Sequence, residues 1–186
     1  MTKFTLPGQA HRMATIEGAP SGAPSESRTL EISFSSEEAY KRHDYDSGTD
    51  FLEVLGHAEG ELDLTRLNSG AAPLLKDHMP VLDAQIGVVL RAWVEDGKGK
   101  ALVRFSDTPA ADDVLARVKA GDVTCVSVGY AIIRAKRAGD QDGLPVIRVT
   151  EWLPREISFV AIPADHTVGY GRSGSGDTPT IIVSEQ

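Results

Sequence analysis

Three short stretches carry side chains suited to nucleophilic chemistry: "DVTCVSVGY" (residues 122–130), "LKDHMP" (75–80) and "LPREISFVAIPA" (153–164). On an extended chain successive side chains alternate between faces, so Thr124, Val126, Val128 and Tyr130 share one face of the first stretch. Cys125, Ser127, Gly129 and Ala131 share the other. That second face holds only small residues, which leaves room for another chain over the Ser127 hydroxyl, and the same pattern also suits a close-packed seam. A serine becomes a nucleophile only when a base lies within hydrogen-bond reach.

Histidine is the usual base, because its unperturbed pKa lies near neutrality. The chain has five. His11 lies in an N-terminal arm, His43 in the polar run "KRHDYDSG", His57 in a strand-end turn and His166 after "IPAD". His78 alone stands at the junction of two apolar segments, "APLL" and "QIGVVLRAWV", where it is either a structural hydrogen-bonder or a base. Glu156 opens an otherwise apolar strand, with Ser158 on its face. A carboxylate there must face water, pair with a cation such as Arg155, or accept a bond from the histidine nitrogen that does not touch the serine. No HExxH motif and no cysteine pair is present, so neither a metal nor a cofactor is expected.

The elements that must position these residues read mainly as strands. "TLEISFSS" alternates with Leu30, Ile32 and Phe34 on one face, and "FLEVLGHAEG" reads as a strand ending in a turn. "IGVVLRAWVED" and "ALVRFSD" flank a "DGKGK" turn and read as a hairpin. "TPAADDVLARVKAG" is the clearest helix: Thr108 caps it, Pro109 sits at its first position, Gly121 stops it, and Val114, Leu115 and Val118 form its apolar stripe. The strands "VTCVSVGYAIIRA", "PVIRVTEWLP" and "REISFVAIPA" follow. Five or more strands with one good helix indicate an α+β fold, a curled, mostly antiparallel sheet or barrel with helices outside. No internal repeat is present.

At 186 residues the chain has the length of one domain with tails, and 41% hydrophobic with 25% charged residues is ordinary for a globular protein. Residues 18–27, "GAPSGAPSES", read as a linker, and "GRSGSGDTP" (171–179) has the same character. The expected organisation is an arm and linker over 1–27, a folded body over 28–170, and a tail over 171–186. Nineteen basic against 27 acidic residues give a net charge of −8, which lends no electrostatic support to nucleic-acid or anionic-membrane binding. The single cysteine, Cys125, excludes an internal disulfide and fits a reducing compartment. The first residues lack the apolar core of a signal peptide, and no apolar run approaches the ~20 residues that span a bilayer, so an intracellular soluble protein is expected.

Taken together and in order, "RTLEISFSSEE", "AAPLLKDHMP" with "QIGVV" after it, "VRFSDTPAADDVLARVKAGDVTCVSVGY" and "REISFVAIPAD" resemble the prohead maturation proteases of tailed bacteriophages, a family remotely related to the herpesvirus assemblin proteases. The matching pieces span roughly residues 28–166. The resemblance implies a serine endopeptidase with an assemblin-like β-barrel surrounded by a few helices. It implies Ser127 as nucleophile and His78 as its base, with Glu156 as third member and His166 and Asp77 as rivals. Asp77 is the weaker rival, since adjacent side chains of an extended segment point apart. It further implies scaffold and capsid polypeptides as substrates inside a procapsid in the host bacterial cytoplasm, self-cleavage in the arms, and a homodimer or higher homo-oligomer. A catalytically inactive capsid-binding domain of the same fold is the alternative. A small-molecule esterase lacks its G-x-S-x-G elbow here, since Ser127 stands in "CVSVG".

Overall fold

Where the chain reverses, the sequence supplies the residues the turn demands. In the computed structural model, which describes residues 28–161 and the backbone of 10–15, nine strands are present: β1 (Ala10–Thr15), β2 (Thr29–Ser36), β3 (Tyr40–Asp44), β4 (Thr49–Leu55), β5 (Pro73–Lys76), β6 (Gln85–Glu95), β7 (Lys98–Phe105), β8 (Cys125–Gln141) and β9 (Leu144–Phe159). Asp96 and Gly97 join β6 to β7 with φ of 52° and 69°, and Asp142 and Gly143 join β8 to β9 with 52° and 78°. Both are Asp-Gly pairs in the left-handed region, whose twist matches that of the flanking strands.

The helix expected from its caps is α1, Pro109–Ala120. Thr108 Oγ1 accepts the Ala111 N–H, and Gly121 at φ 82° returns its N–H to the last carbonyls, so both ends are satisfied by local chemistry. Ala111, Val114, Leu115 and Val118 bury its apolar stripe. Among the described residues it is the one α-helix, accompanied by short 3-10 turns at Leu67–Ser69 and Leu82–Ala84.

The strands form one mixed, mostly antiparallel sheet in the order β1-β8-β9-β5-β6-β7-β2, with β3 paired to β4. Strand β9 is its hub. One edge pairs along β8; the other pairs in parallel with β4 through Leu52–Leu55 and with β5 through Leu74–Lys76. The stretches "PVIRVTEWLP" and "REISFVAIPA" are thus a single strand running through Pro154. That proline faces Tyr130 beside a register shift, where the ladder is already interrupted and its missing N–H is tolerated. Strands β1 and β2, the two ends of the order, approach each other, and no ladder joins them among the described residues. The sheet is curled and open in its hydrogen bonding.

The core lies on one side of the β8–β9 pair, where Val126, Val128, Ile157 and Phe159 join Phe34, Phe51, Phe105 and Trp152. Burying each such side chain contributes about 1.5–3 kcal/mol. Glu53, fully buried, accepts from the Tyr130 hydroxyl at 2.5 Å and from Arg42 Nη2 at 3.3 Å, so this carboxylate enters the interior with partners. The opposite side of the same two strands carries Ser127, Gly129, Glu156 and Ser158, also buried.

Candidate active site

Antiparallel pairing fixes this polar face before any side chain is considered. Ser127 stands opposite Ser158, and Gly129 opposite Glu156. Directly opposed residues on one face are near neighbours, so the two serines and the carboxylate are gathered by backbone register alone. Gly129 serves a definite purpose here. A Cβ on it would lie 2.2 Å from Glu156 Oε1, so the carboxylate rests over the bare backbone of β8.

His78 arrives from a different element. It follows β5, whose parallel pairing with β9 runs Leu75 to Ser158 and Lys76 to Phe159. The chain then turns sharply, with the Met79 N–H donating to Lys76 O at 3.1 Å and with φ of 52° at Asp77 and 56° at His78. Two successive non-glycine residues in the left-handed region cost on the order of 1–3 kcal/mol each, and aspartate and histidine are among the types that tolerate it best. Three tethers hold them there. The Asp77 N–H donates to Phe159 O at 2.9 Å, Asp77 Oδ1 accepts the Ala161 N–H at 3.0 Å, and the His78 N–H donates to Ser158 Oγ at 3.2 Å.

The side chains then form a continuous chain of hydrogen bonds. Glu156 Oε1 lies 2.6 Å from His78 Nδ1, and His78 Nε2 lies 2.7 Å from Ser127 Oγ. An ionised carboxylate only accepts, so Nδ1 carries the proton, Nε2 presents its lone pair, and the Ser127 hydroxyl donates to it. The second carboxylate oxygen, Oε2, accepts from Ser158 Oγ at 2.5 Å. Ser158 therefore clamps two groups at once, the carboxylate by donating and the His78 backbone by accepting. The sequence offers a signal for the first contact, since glutamate and serine two apart on a strand share a face, but none for the contact to His78.

Exposure is graded across the site. Ser127 is 1% exposed and Glu156 7%, whereas the His78 side chain is 20% exposed. An open cleft of about 320 Å³ beside the site is lined by Asp77, His78, Val160 and Ala161. Asp77, a rival for the third position, turns its carboxylate to the Ala161 N–H; His166, the other rival, lies outside the described residues. His43 pairs with Asp50 at 2.6 Å on the surface, and His57 sits in the interior with Ser35 at 2.8 Å. No group of three or more histidine, cysteine or acidic side chains among the described residues is arranged to hold a metal ion. No helix among them is long and apolar enough to cross a membrane.

Comparison with known proteins gives this geometry a context. A family model described as caudovirus prohead serine protease matches residues 53–169, a span that contains His78, Ser127 and Glu156. The chain is 42% identical over 137 residues to the major capsid protein of Halomonas phage phiHAP-1; the match covers 71% of this chain and 22% of that protein, so the chain spans about a fifth of its relative's length. In structure it is similar to the bacteriophage T4 capsid assembly protease, with a TM-score of 0.43 and 11% identity over 75% of this chain and 100% of that one.

Proposed function

The chain belongs to the caudovirus prohead serine protease family, and from that premise we propose that it is a serine endopeptidase that cleaves scaffold and capsid polypeptides, and itself, as a phage procapsid matures. The observation that carries the reading is the unbroken run of hydrogen bonds from Glu156 through His78 to Ser127. In the reaction His78 Nε2 takes the Ser127 proton as Oγ attacks a peptide carbonyl, and the ring then hands that proton to the leaving amine. The acyl group left on Ser127 is released by water, activated by the same nitrogen. Glu156 keeps the ring in the required tautomer and stabilises the imidazolium that forms.

The organisation follows from the same premise. Residues 28–170 act as the protease domain, and residues 1–27 and 171–186 are its arms, cut by the enzyme itself or joining it to a scaffold or capsid segment. The 42% identity to part of a much longer phage major capsid protein supports such a junction. The curl of the sheet, with β1 and β2 drawn together, supports a barrel of the assemblin type as the fold's closed relative. The enzyme works within the assembling procapsid in the host cytoplasm, as a homodimer or higher homo-oligomer.

Intact-mass measurement of the wild type and of Ser127→Ala, each alone and co-expressed with the cognate capsid protein, tests the proposal. Discrete cleavages that vanish in Ser127→Ala are expected. Identical, uncleaved masses with the capsid protein still bound would instead identify an inactive assembly domain.

A further inference from the structure

Ser127 faces an access problem. A hydroxyl on a residue 1% exposed cannot meet a peptide carbonyl, because attack needs the reacting atoms at about 3–3.5 Å. Something must move, and the sheet order indicates what. Strand β8 is held by β9 on one edge, and that ladder carries Glu156 and Ser158, so it cannot part without dismantling the site. On its other edge, among the described residues, β8 is held by β1 alone. The β1 register runs directly past the nucleophile: Met13 opposes Ser127, and His11 opposes Gly129.

Strand β1 has the attributes of a removable piece. It lies at the end of the sheet order and, among the described residues, has one ladder. The sequence between it and β2 includes "GAPSGAPSES", small residues with none of the bulk of a core segment. Without it, β8 would present an open edge of N–H and C=O groups beside Ser127, the arrangement by which proteins capture an extended polypeptide as an added strand.

We propose that β1 is a displaceable strand, occupying in cis the edge of β8 on which an extended polypeptide substrate lies when Ser127 attacks it. The inference rests on the protease reading above and adds to it a means of control. A strand tethered by a short linker competes at an effective concentration on the order of millimolar. Dilute polypeptides lose to it; polypeptides crowded or tethered beside the domain displace it. The resting chain is self-blocked, and crowding releases it.

The register supplies the test. Thr15 opposes Cys125, the chain's single cysteine, and directly opposed Cα atoms of an antiparallel pair lie within disulfide range. Thr15→Cys in the full chain should therefore lock β1 in place when oxidised and free it when reduced. Two readouts are followed: cleavage of the co-purified capsid protein, and formation of a Ser127 adduct with a fluorophosphonate, by intact mass. Oxidation should slow both at least tenfold, and reduction should restore wild-type rates. Unchanged rates in the locked chain, or no disulfide under oxidation, would overturn the inference. Should no form cleave polypeptide, the protease reading fails, while the redox dependence of the adduct still decides whether β1 blocks Ser127. An adduct in no redox state overturns both.

Discussion

Among the described residues two serine–histidine pairs have almost the same length, and only one has the makings of an active site. Ser127 lies 2.7 Å from His78 Nε2, and Ser35 lies 2.8 Å from His57 Nε2. The difference begins at the other ring nitrogen. His78 Nδ1 meets the Glu156 carboxylate at 2.6 Å, while His57 Nδ1 donates to Leu55 O at 3.0 Å. Both partners fix the tautomer. Only the carboxylate carries a full charge to balance an imidazolium. Surroundings widen the gap. Both serines are buried, but the His57 ring packs edge-on against Trp152 at 5.6 Å, whereas His78, its side chain 20% exposed, lines an open cleft. A serine–histidine hydrogen bond can thus be purely structural, and the carboxylate behind the ring is what makes one of the two suited to chemistry.

Glu156→Gln makes the first site resemble the second, and its effect should exceed that of any change at Gly129, Ser35 or Arg148. It keeps a hydrogen-bonding group of the same shape and removes the charge, so cleavage should fall by about 10⁴-fold with the fold intact by circular dichroism. A loss below tenfold would mean that the charge does not separate the two sites. Gly129→Ala leaves every reacting group in place and pushes the carboxylate aside through its 2.2 Å overlap with Oε1; a misplacement of this kind costs about 10²-fold in rate. Kinetics on the soluble variant checks it, and an unchanged rate would show that the carboxylate has slack.

Ser35→Ala should do the reverse. It removes the buried hydrogen bond from Ser35 to His57 Nε2, so unfolding free energy should fall by about 1–3 kcal/mol in a denaturant titration, while the cleavage rate stays within twofold. Loss of activity without loss of stability would erase the distinction between the pairs. The smallest effect concerns the surface network beside His57. Arg148 bonds both Glu37 and Glu61, and Glu37 in turn accepts the His57 N–H. The bonds from Arg148 hold the Glu37 carboxyl below its ordinary value of 4.5; burial opposes the same shift at Glu61, where Arg148 still brings the net change downward. Carboxyls lowered in the folded state stabilise it above the unfolded pKa, and the benefit disappears as pH falls through the folded value. Arg148→Met should therefore cost at most about 1 kcal/mol at pH 7, and the difference from wild type should shrink in melts taken below the ordinary glutamate range.

Features set by neighbouring residues are legible in the sequence. Thr108, Pro109 and Gly121 mark the helix, and an Asp-Gly pair marks the β6–β7 hairpin, because caps and turns are decided within a few residues. The polar face of β8 follows from alternation, and the resemblance of ordered motifs groups His78, Ser127 and Glu156. What a linear reading misses depends on pairing across long separations. Ser35 and His57 meet only through tertiary packing, and the dual contact of Ser158 needs the end of β5 beside β9. Strand β1 lies within a stretch that reads as an arm, since its length and composition carry little signal without β8 beside it. Strand β9 reads as two strands divided at Pro154 because a proline ordinarily ends a strand, and the register shift that accommodates it has no local signature.

The β8–β9 hairpin turns at Asp142 and Gly143, yet the site lies at its far end, beyond several register shifts. Because side chains alternate with a period of two, each shift acts on everything beyond it as a frameshift acts on a message. Removing the extra residue that a shift carries on β8, such as Ile133 between Ile132 and Arg134, while the turn stayed fixed would swing Val126 and Val128 to the face now held by Ser127 and Gly129. The irregularities in the exposed half of the hairpin thus keep the site in phase, and a one-residue deletion there would silence Ser127 without touching any group that bonds to it.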